Sequence, residues 1–353
     1  MASDRMMEYY YSMGQDCLRM DDPENAVTYF KKAANMGAYE AALEIYSLGQ
    51  QWEAGDGVEK SEEKAENCYK IGVEYEIPEA SLSLGKLYLR GINGARPNPR
   101  KARRALENAS DEGSAEAASL LGKMYDEGIM GKVNPDRAFN YYLLAAERGD
   151  SSAMLMTGMF YAQGESARKD LEAAEMWIRK GREAGDPDGD TTLRVFLAVA
   201  CSEYITGEAG RVDPGKAWSM AEEAETLGDK EVFLRLGIAF SHATSLKDHD
   251  VKSFECFKRA ADNGSLMAAA HLGLCYEAGI GVEENIDEAV RLYKKASDEG
   301  IPFAMTHYAC ALAAGEGGEK DEKAAMNLLI RAAMKGDTGA IQILKEDYDY
   351  ELA

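Results

Sequence analysis

Gly279-Ile280-Gly281, followed shortly by the helical run EAVRLYKKA, has the outline of a phosphate-binding turn, in which backbone amides at a helix start cradle an anion. The spacing does not complete that chemistry. A Walker loop adds Gly-Lys-Ser/Thr, and a dinucleotide fold adds a preceding strand and a third glycine. Here the residues before the turn form a helix, and the same turn returns as WEAGDGV (52–58) and YDEGIMGKV (125–133). It reads as a loop within a repeat.

The other reactive side chains are equally dispersed. His271 and His307 occupy one column of adjacent units, about 10 Å apart if neighbouring helices pack at the usual distance. That is too far to share a zinc ion, whose bonds to nitrogen are about 2 Å. His242 and His249 flank an irregular loop without a ligand set of known spacing, and Asp186, Asp188 and Asp190 lack the closing glutamate of a calcium loop. No nucleophile elbow and no Ser/His/Asp or Cys/His set can be assembled, so no catalytic, cofactor or metal residue is expected. The six cysteines (Cys17, Cys68, Cys201, Cys256, Cys275, Cys310) form no CxxC pair and read as small hydrophobes of a reduced, cytoplasmic protein.

Composition agrees. A net charge of −22 disfavours nucleic acid and anionic membranes as partners, since neutralising phosphates takes clustered Lys and Arg. The longest apolar run, VFLAVA (195–200), falls far short of the ~20 residues that span a bilayer, and MASDRMMEYY shows no signal peptide. A monomer is expected.

What positions these residues is a repeat. Glycines closing an alanine-rich helix stand at Gly113, Gly149, Gly185, Gly228, Gly264, Gly300 and Gly336, in steps of 36, 36, 43, 36, 36 and 36 residues. Gly37 joins the column, and Ile77 takes glycine's place in the unit between. Each unit opens with a helix holding a glycine and an aromatic three residues on, as in SLGQQW (47–52), LLGKMY (120–125) and HLGLCY (271–276). The glycine lets another helix approach, and the aromatic is expected to fill the adjoining gap. A second helix carries small residues seven apart, such as Ala138 and Ala145, and starts at Asp-Pro or Asn-Pro, a cap followed by a helix-compatible proline. The expectation is an all-α, α/α superhelical solenoid of about nine helix–turn–helix repeats of ~36 residues with a C-terminal capping helix from Thr338. It forms a single array over 1–353, with units ending near 37, 77, 113, 149, 185, 228, 264, 300 and 336 and irregular units over 186–264.

The repeat unit HLGLCYEAGIGVEENIDEAVRLYKKASDEG (271–300) resembles the Sel-one-like repeats, relatives of the tetratricopeptide repeats, as does LLGKMYDEGIMGKVNPDRAFNYYLLAAERG (120–149). The resemblance covers nearly the whole chain and departs in the sixth unit, where seven extra residues surround DPDGDTTL and Cys201 replaces the glycine. It implies a non-enzymatic, bacterial protein-interaction scaffold or adaptor, with first helices on the concave side. A hydrolase or small-ligand (β-lactam-type) pocket in 186–250 is the alternative, suggested by cysteine-rich relatives whose paired cysteines this chain lacks.

On the first helices, the stripe not used for packing changes from charged (Glu116, Lys123, Asp126) to apolar near residue 150. It then comprises Leu155, Met159, Gln163, Val195, Ala198, Ile205, Leu234, Ile238, Met267, Leu274 and Phe303, which are expected to line a groove for a partner peptide or helix. The alternative is that they touch the next repeat. A candidate basic docking patch gathers Lys86, Arg90, Arg96, Arg100, Lys101, Arg103 and Arg104 in the third unit. Its alternative is a solvated face paired with neighbouring acids.

Overall fold

The computed structural model describes residues 2–348, and those residues contain nineteen helices and no strand. The hairpins are α1 (Ala2–Arg19) with α2 (Pro23–Ala34), α3 (Tyr39–Ala54) with α4 (Glu62–Glu74), and α5 (Pro78–Arg90) with α6 (Pro99–Asp111). Next come α7 (Ala115–Asp126) with α8 (Pro135–Glu147), α9 (Ser151–Gln163) with α10 (Leu171–Glu183), and α11 (Gly189–Thr206) with α12 (Pro214–Thr226). The last are α13 (Val232–His242) with α14 (His249–Asp262), α15 (Leu266–Ala278) with α16 (Ile286–Asp298), and α17 (Pro302–Ala314) with α18 (Glu322–Met334). The final helix, α19 (Thr338–Asp347), packs on α17 and α18. The chain divides into two compact units between Gly189 and Asp190.

Eight of the nine second helices start at a side-chain cap, and α14 follows Asp248, whose side chain makes no cap bond. Asp22, Ser61, Asn98, Asn134, Asp170, Asp213, Asn285 and Asp321 all accept a backbone N–H from the first turn they cap. The column of closing glycines takes positive φ, from +101° at Gly37 to +89° at Gly336. In the second hairpin the left-handed residue is Glu76 (φ +57°) and Ile77 is the next N-cap, so Glu76, not Ile77, stands in the glycine column. In the turn after α15, Gly279 and Gly281 are both left-handed, and a methyl group at Gly281 would lie 2.3 Å from the Asp250 carbonyl oxygen.

The core contact is a socket. A methyl group on the first-helix glycine would come within 2.6 Å of Phe30 at Gly14, 2.9 Å of Tyr69 at Gly49, 2.6 Å of Leu106 at Gly85 and 2.7 Å of Tyr142 at Gly122. The same holds for Gly158 against Ile178 (2.5 Å), Gly237 against Phe257 (2.7 Å) and Gly273 against Tyr293 (2.7 Å). Each of these side chains stands four residues after the small anchor of its second helix. The aromatic on the first helix does not fill this gap: Tyr276 instead sets its ring edge-on to Phe254, at 5.5 Å. In the sixth hairpin Cys201 replaces the glycine and the facing position shrinks to Ala221, both fully buried. The extra residues of that unit lengthen α11 to 18 residues against 13 in α9. Within each unit further contacts join first helices to one another (α5 to α7, α15 to α17, α17 to α19), so the first helices crowd together on one side.

Two stability predictions follow from these packing contacts. Gly158→Ala places its methyl 2.5 Å from Ile178 and 2.8 Å from the Ala174 carbonyl. It is expected to lower stability by about 1–3 kcal/mol in denaturant titration, despite alanine's better helix propensity of ~1 kcal/mol. Ser253 stands in the alanine anchor column with a buried hydroxyl that has no partner among the described residues. Ser253→Ala is expected to raise stability by about 1 kcal/mol in the same titration.

Candidate functional site on the first helices

The polar groups nearest the sockets obey a rule that links the two helices. Where the socket side chain is tyrosine, an acid stands four residues after the glycine. Tyr69 donates to Glu53, Tyr293 donates to Glu277, and Tyr142 bonds Asp126. Where it is Phe30, Leu106, Ile178 or Phe257, that position is Leu18, Leu89, Ala162 or Ser241. A hydroxyl carried into the core needs an acceptor, and a hydrocarbon does not. Burial, and then the neighbouring carboxylate, push the Tyr69 and Tyr293 hydroxyls far above the ordinary range, so both stay protonated as donors. Comparing the two sequence columns would have revealed the pairing.

The aromatics three residues after the glycine have their own partner. Lys64 lies over Trp52 (5.6 Å), Lys101 over Tyr88 (5.1 Å), Arg137 over Tyr125 (5.3 Å) and Lys216 over Tyr204 (4.9 Å). Each cation sits three residues after the N-cap, whose side chain accepts its backbone N–H. Cation–π contacts at such partly exposed sites contribute about 0.5–1 kcal/mol each.

The expected groove residues separate into two groups. Leu155, Ala198 and Ile205 are buried. Leu155 packs on Gly181 of its own hairpin, where a methyl group would lie 2.7 Å from it, and α11 is apolar on several sides and buries more than one stripe. These three cannot meet a partner as expected. Val195 is 47% exposed and has Val199 (56%) one turn away, while Met159 is half-buried and Gln163 exposed. Leu234, Ile238, Met267, Leu274 and Phe303 are half-buried on the first helices of the second unit. Leu234 and Ile238 rest partly on a cluster formed by Phe257, Leu272 and Leu292. Phe303 lies between two imidazoles, His271 at 5.1 Å and His307 at 4.5 Å. The stack continues to Phe257 beyond His271 and to Tyr293 beyond His307, and His307 Nδ1 lies 3.4 Å from Glu277.

Within the segment 186–250, α11 turns Leu193, Phe196, Leu197, Cys201 and Tyr204 into the core. Asp186 Oδ1 accepts the Asp188 backbone N–H, and its Oδ2 accepts from Ser151. Among the described residues no three His, Cys, Asp or Glu side chains converge as metal ligands. Burial pushes the Cys68 thiol up to about 12 and Cys201 and Cys275 up to about 11, which leaves little thiolate at neutral pH.

Four of the seven basic residues are committed to acids. Lys86 pairs with Glu116 (2.5 Å), Arg90 with Glu53 (2.8 Å) and Glu62 (3.4 Å), Lys101 with Glu66 (3.8 Å), and Arg103 with Glu107 (3.1 Å). Glu62 is itself buried and accepts the Asn93 backbone N–H, so Arg90 belongs to the scaffold of its loop. Arg96, Arg100 and Arg104 are exposed and have no carboxylate partner among the described residues.

The sequence model of the Sel1 repeat matches residues 1–37, 45–74, 78–114, 115–150, 151–186, 234–265, 266–301 and 302–337. The segment left unmatched between 186 and 234 holds α11 and α12. Chitin synthase regulatory factor 1 of Schizosaccharomyces pombe is 33% identical over 115 residues, which are 32% of this chain and 25% of that protein. Alginate biosynthesis protein AlgK of Azotobacter vinelandii is 35% identical over 138 residues (37% and 28%). Mouse DAP3-binding cell death enhancer 1 is 28% identical over 188 residues (53% and 36%). The chain thus spans about a quarter to a third of the length of these relatives. Among solved structures, a protective antigen of uropathogenic Escherichia coli with an SLR fold is similar at 23% identity and a TM-score of 0.49, over 98% of this chain and 81% of that one. No helix among the described residues is long and apolar enough to cross a membrane.

The imidazole stack makes stability depend on pH. Burial, and then the nearby His307, hold His271 below the ordinary imidazole value of about 6.5. As pH falls below that value the unfolded chain binds a proton that the fold resists. This contribution is therefore full above about pH 6.5 and is lost as pH falls toward the folded pKa. Phe257 and Phe303 stack on His271, and beyond Phe303 lie His307, Glu277 and Tyr293. His271→Phe is expected to flatten the fall in melting temperature between pH 7.5 and 5.5 relative to the parent, measured by thermal unfolding at each pH.

Proposed function

The chain belongs to the Sel1 repeat family, and on that premise we propose that it is a non-enzymatic interaction scaffold or adaptor that holds a partner peptide or helix along its first helices. The observation that carries this reading is the run of half-buried apolar side chains on three successive first helices of the second unit. Leu234 and Ile238 stand on α13, Met267 and Leu274 on α15, and Phe303 on α17. Phe303 reaches across from α17 to stack on His271 of α15. Side chains half withdrawn from water lose little further freedom on binding, and their spacing suits the apolar stripe of an amphipathic partner. Two relatives carry names of the same kind, a regulatory factor of chitin synthase and a DAP3-binding protein. Free cysteines suit a reducing compartment, in line with a cytoplasmic site of action.

A second surface rests on Arg96, Arg100 and Arg104, whose guanidinium groups lack carboxylates and suit an acidic or phosphorylated segment. Two double variants separate the surfaces. Proteins captured by the parent from lysate and identified by mass spectrometry are expected to be lost with Leu234→Gln/Leu274→Gln and retained with Arg100→Glu/Arg104→Glu. Melting temperatures are expected to stay within a few degrees of the parent. Capture unchanged by the leucine substitutions removes the first-helix face from the proposal, and loss with the arginine substitutions alone moves the site to α6.

A further inference from the structure

A pocket of about 220 Å³ opens between α1 and the start of α3, lined by Met7, Glu8, Tyr11, Ala38 and Glu40. Its walls are largely apolar. Ala38 is buried, and the Tyr11 ring is held in place by Phe30 (5.5 Å between ring centres) and by donating its hydroxyl to Glu44 Oε1 at 3.3 Å. At the rim stand Glu8 and Glu40, both exposed, neither with a cationic partner among the described residues. Burial, then the charge of Glu44 and, more weakly, that of Glu40 raise the Tyr11 hydroxyl above its ordinary value, so the carboxylate field reaches the pocket wall. Glu40 lies in the first turn of α3 and offsets the positive helix end beside the pocket.

We propose that this pocket receives one lysine or arginine side chain of a partner polypeptide. The proposal rests on the scaffold reading and supplies the chemistry of the partner. Size decides against a small-molecule site, since those run to about 300–1,000 Å³. The lining decides the side chain: apolar walls take an aliphatic stem, and carboxylates at the mouth take its cation. The Tyr11 ring offers a face over which a guanidinium is attracted. A purely apolar side chain would leave Glu8 and Glu40 partly desolvated without compensation, and an acidic one would be repelled. The net charge of −22 favours the approach of basic segments to the chain as a whole. Two larger cavities on the second-helix side of the same repeats share Trp52 and Lys64, and Lys64 is already paired with Glu24 at 2.5 Å.

The test is a methyl NMR titration of the full chain labelled at methionine, following Met7, with thermal unfolding as the control for folding. The probes are Nα-acetyl-arginine amide, its neutral isostere Nα-acetyl-citrulline amide, and Nα-acetyl-arginine, which keeps a free carboxylate and no ammonium. The capped arginine is expected to shift the Met7 methyl saturably. Citrulline amide is expected to bind at least fivefold more weakly, and Nα-acetyl-arginine to bind more weakly because its free carboxylate meets the acidic rim. Glu8→Gln/Glu40→Gln is expected to weaken the capped arginine by roughly fivefold with melting unchanged. Equal binding of citrulline amide, equal binding of Nα-acetyl-arginine, an unaltered affinity in the double variant, or an unmoved Met7 each overturns the proposal. These outcomes are read on α1 and α3, so they stay distinct from capture that depends on Leu234 and Leu274.

Discussion

On most first helices a glycine faces a bulky side chain of the second helix at a distance that leaves no room for a methyl group. That contact sets how closely the two helices of a hairpin lie, and so which faces remain for the next hairpin and for solvent. Glycine in mid-helix is a poor helix former, at a cost of about 1 kcal/mol relative to alanine. Here the close packing of Tyr142 on Gly122 or Tyr293 on Gly273 offsets it. Fully burying one such side chain contributes on the order of 1.5–3 kcal/mol.

The constraint explains departures from the repeat that look unrelated in the sequence. Cys201 in place of a glycine is accommodated because the facing residue has shrunk to Ala221, so total volume is conserved across the contact. In the ninth hairpin Ala309 and Leu329 share one buried cluster without a glycine. Tyrosine at the socket brings a hydroxyl into the interior, and Glu53, Asp126 and Glu277 answer it from the first helix. The lysine or arginine one residue before the alanine anchor covers the first-helix aromatic and donates its backbone amide to the cap, so one position serves both packing and helix initiation.

The same packing sorts surface from core for function. Leu155 was withdrawn from the open face by Gly181, and Ala198 and Ile205 by the all-round burial of α11, while Leu234, Ile238, Met267, Leu274 and Phe303 kept part of their surface. Ion pairs sorted the basic residues likewise: Lys86, Arg90, Lys101 and Arg103 neutralise acids of their own or adjacent hairpins, and three arginines do not. Exposed pairs of this kind add little stability, about 0–1 kcal/mol each, but they decide which charges a partner can reach.

Periodicity alone determined the helical hairpins, their caps and their number, because caps, closing glycines and small-residue columns are local chemistry repeated at fixed spacing. It placed the turn at Gly279 and Gly281 correctly, as the loop between α15 and α16. It misplaced the glycine column at Ile77, since Glu76 adopts a left-handed conformation that its residue type does not announce. It also assigned the socket to the first-helix aromatic. Which side chain enters a socket depends on the angle and offset between two helices, and no spacing along one helix contains that information. The exposure of the proposed face and the pocket between α1 and α3 were decided by tertiary structure for the same reason: both are set by what a neighbouring helix covers.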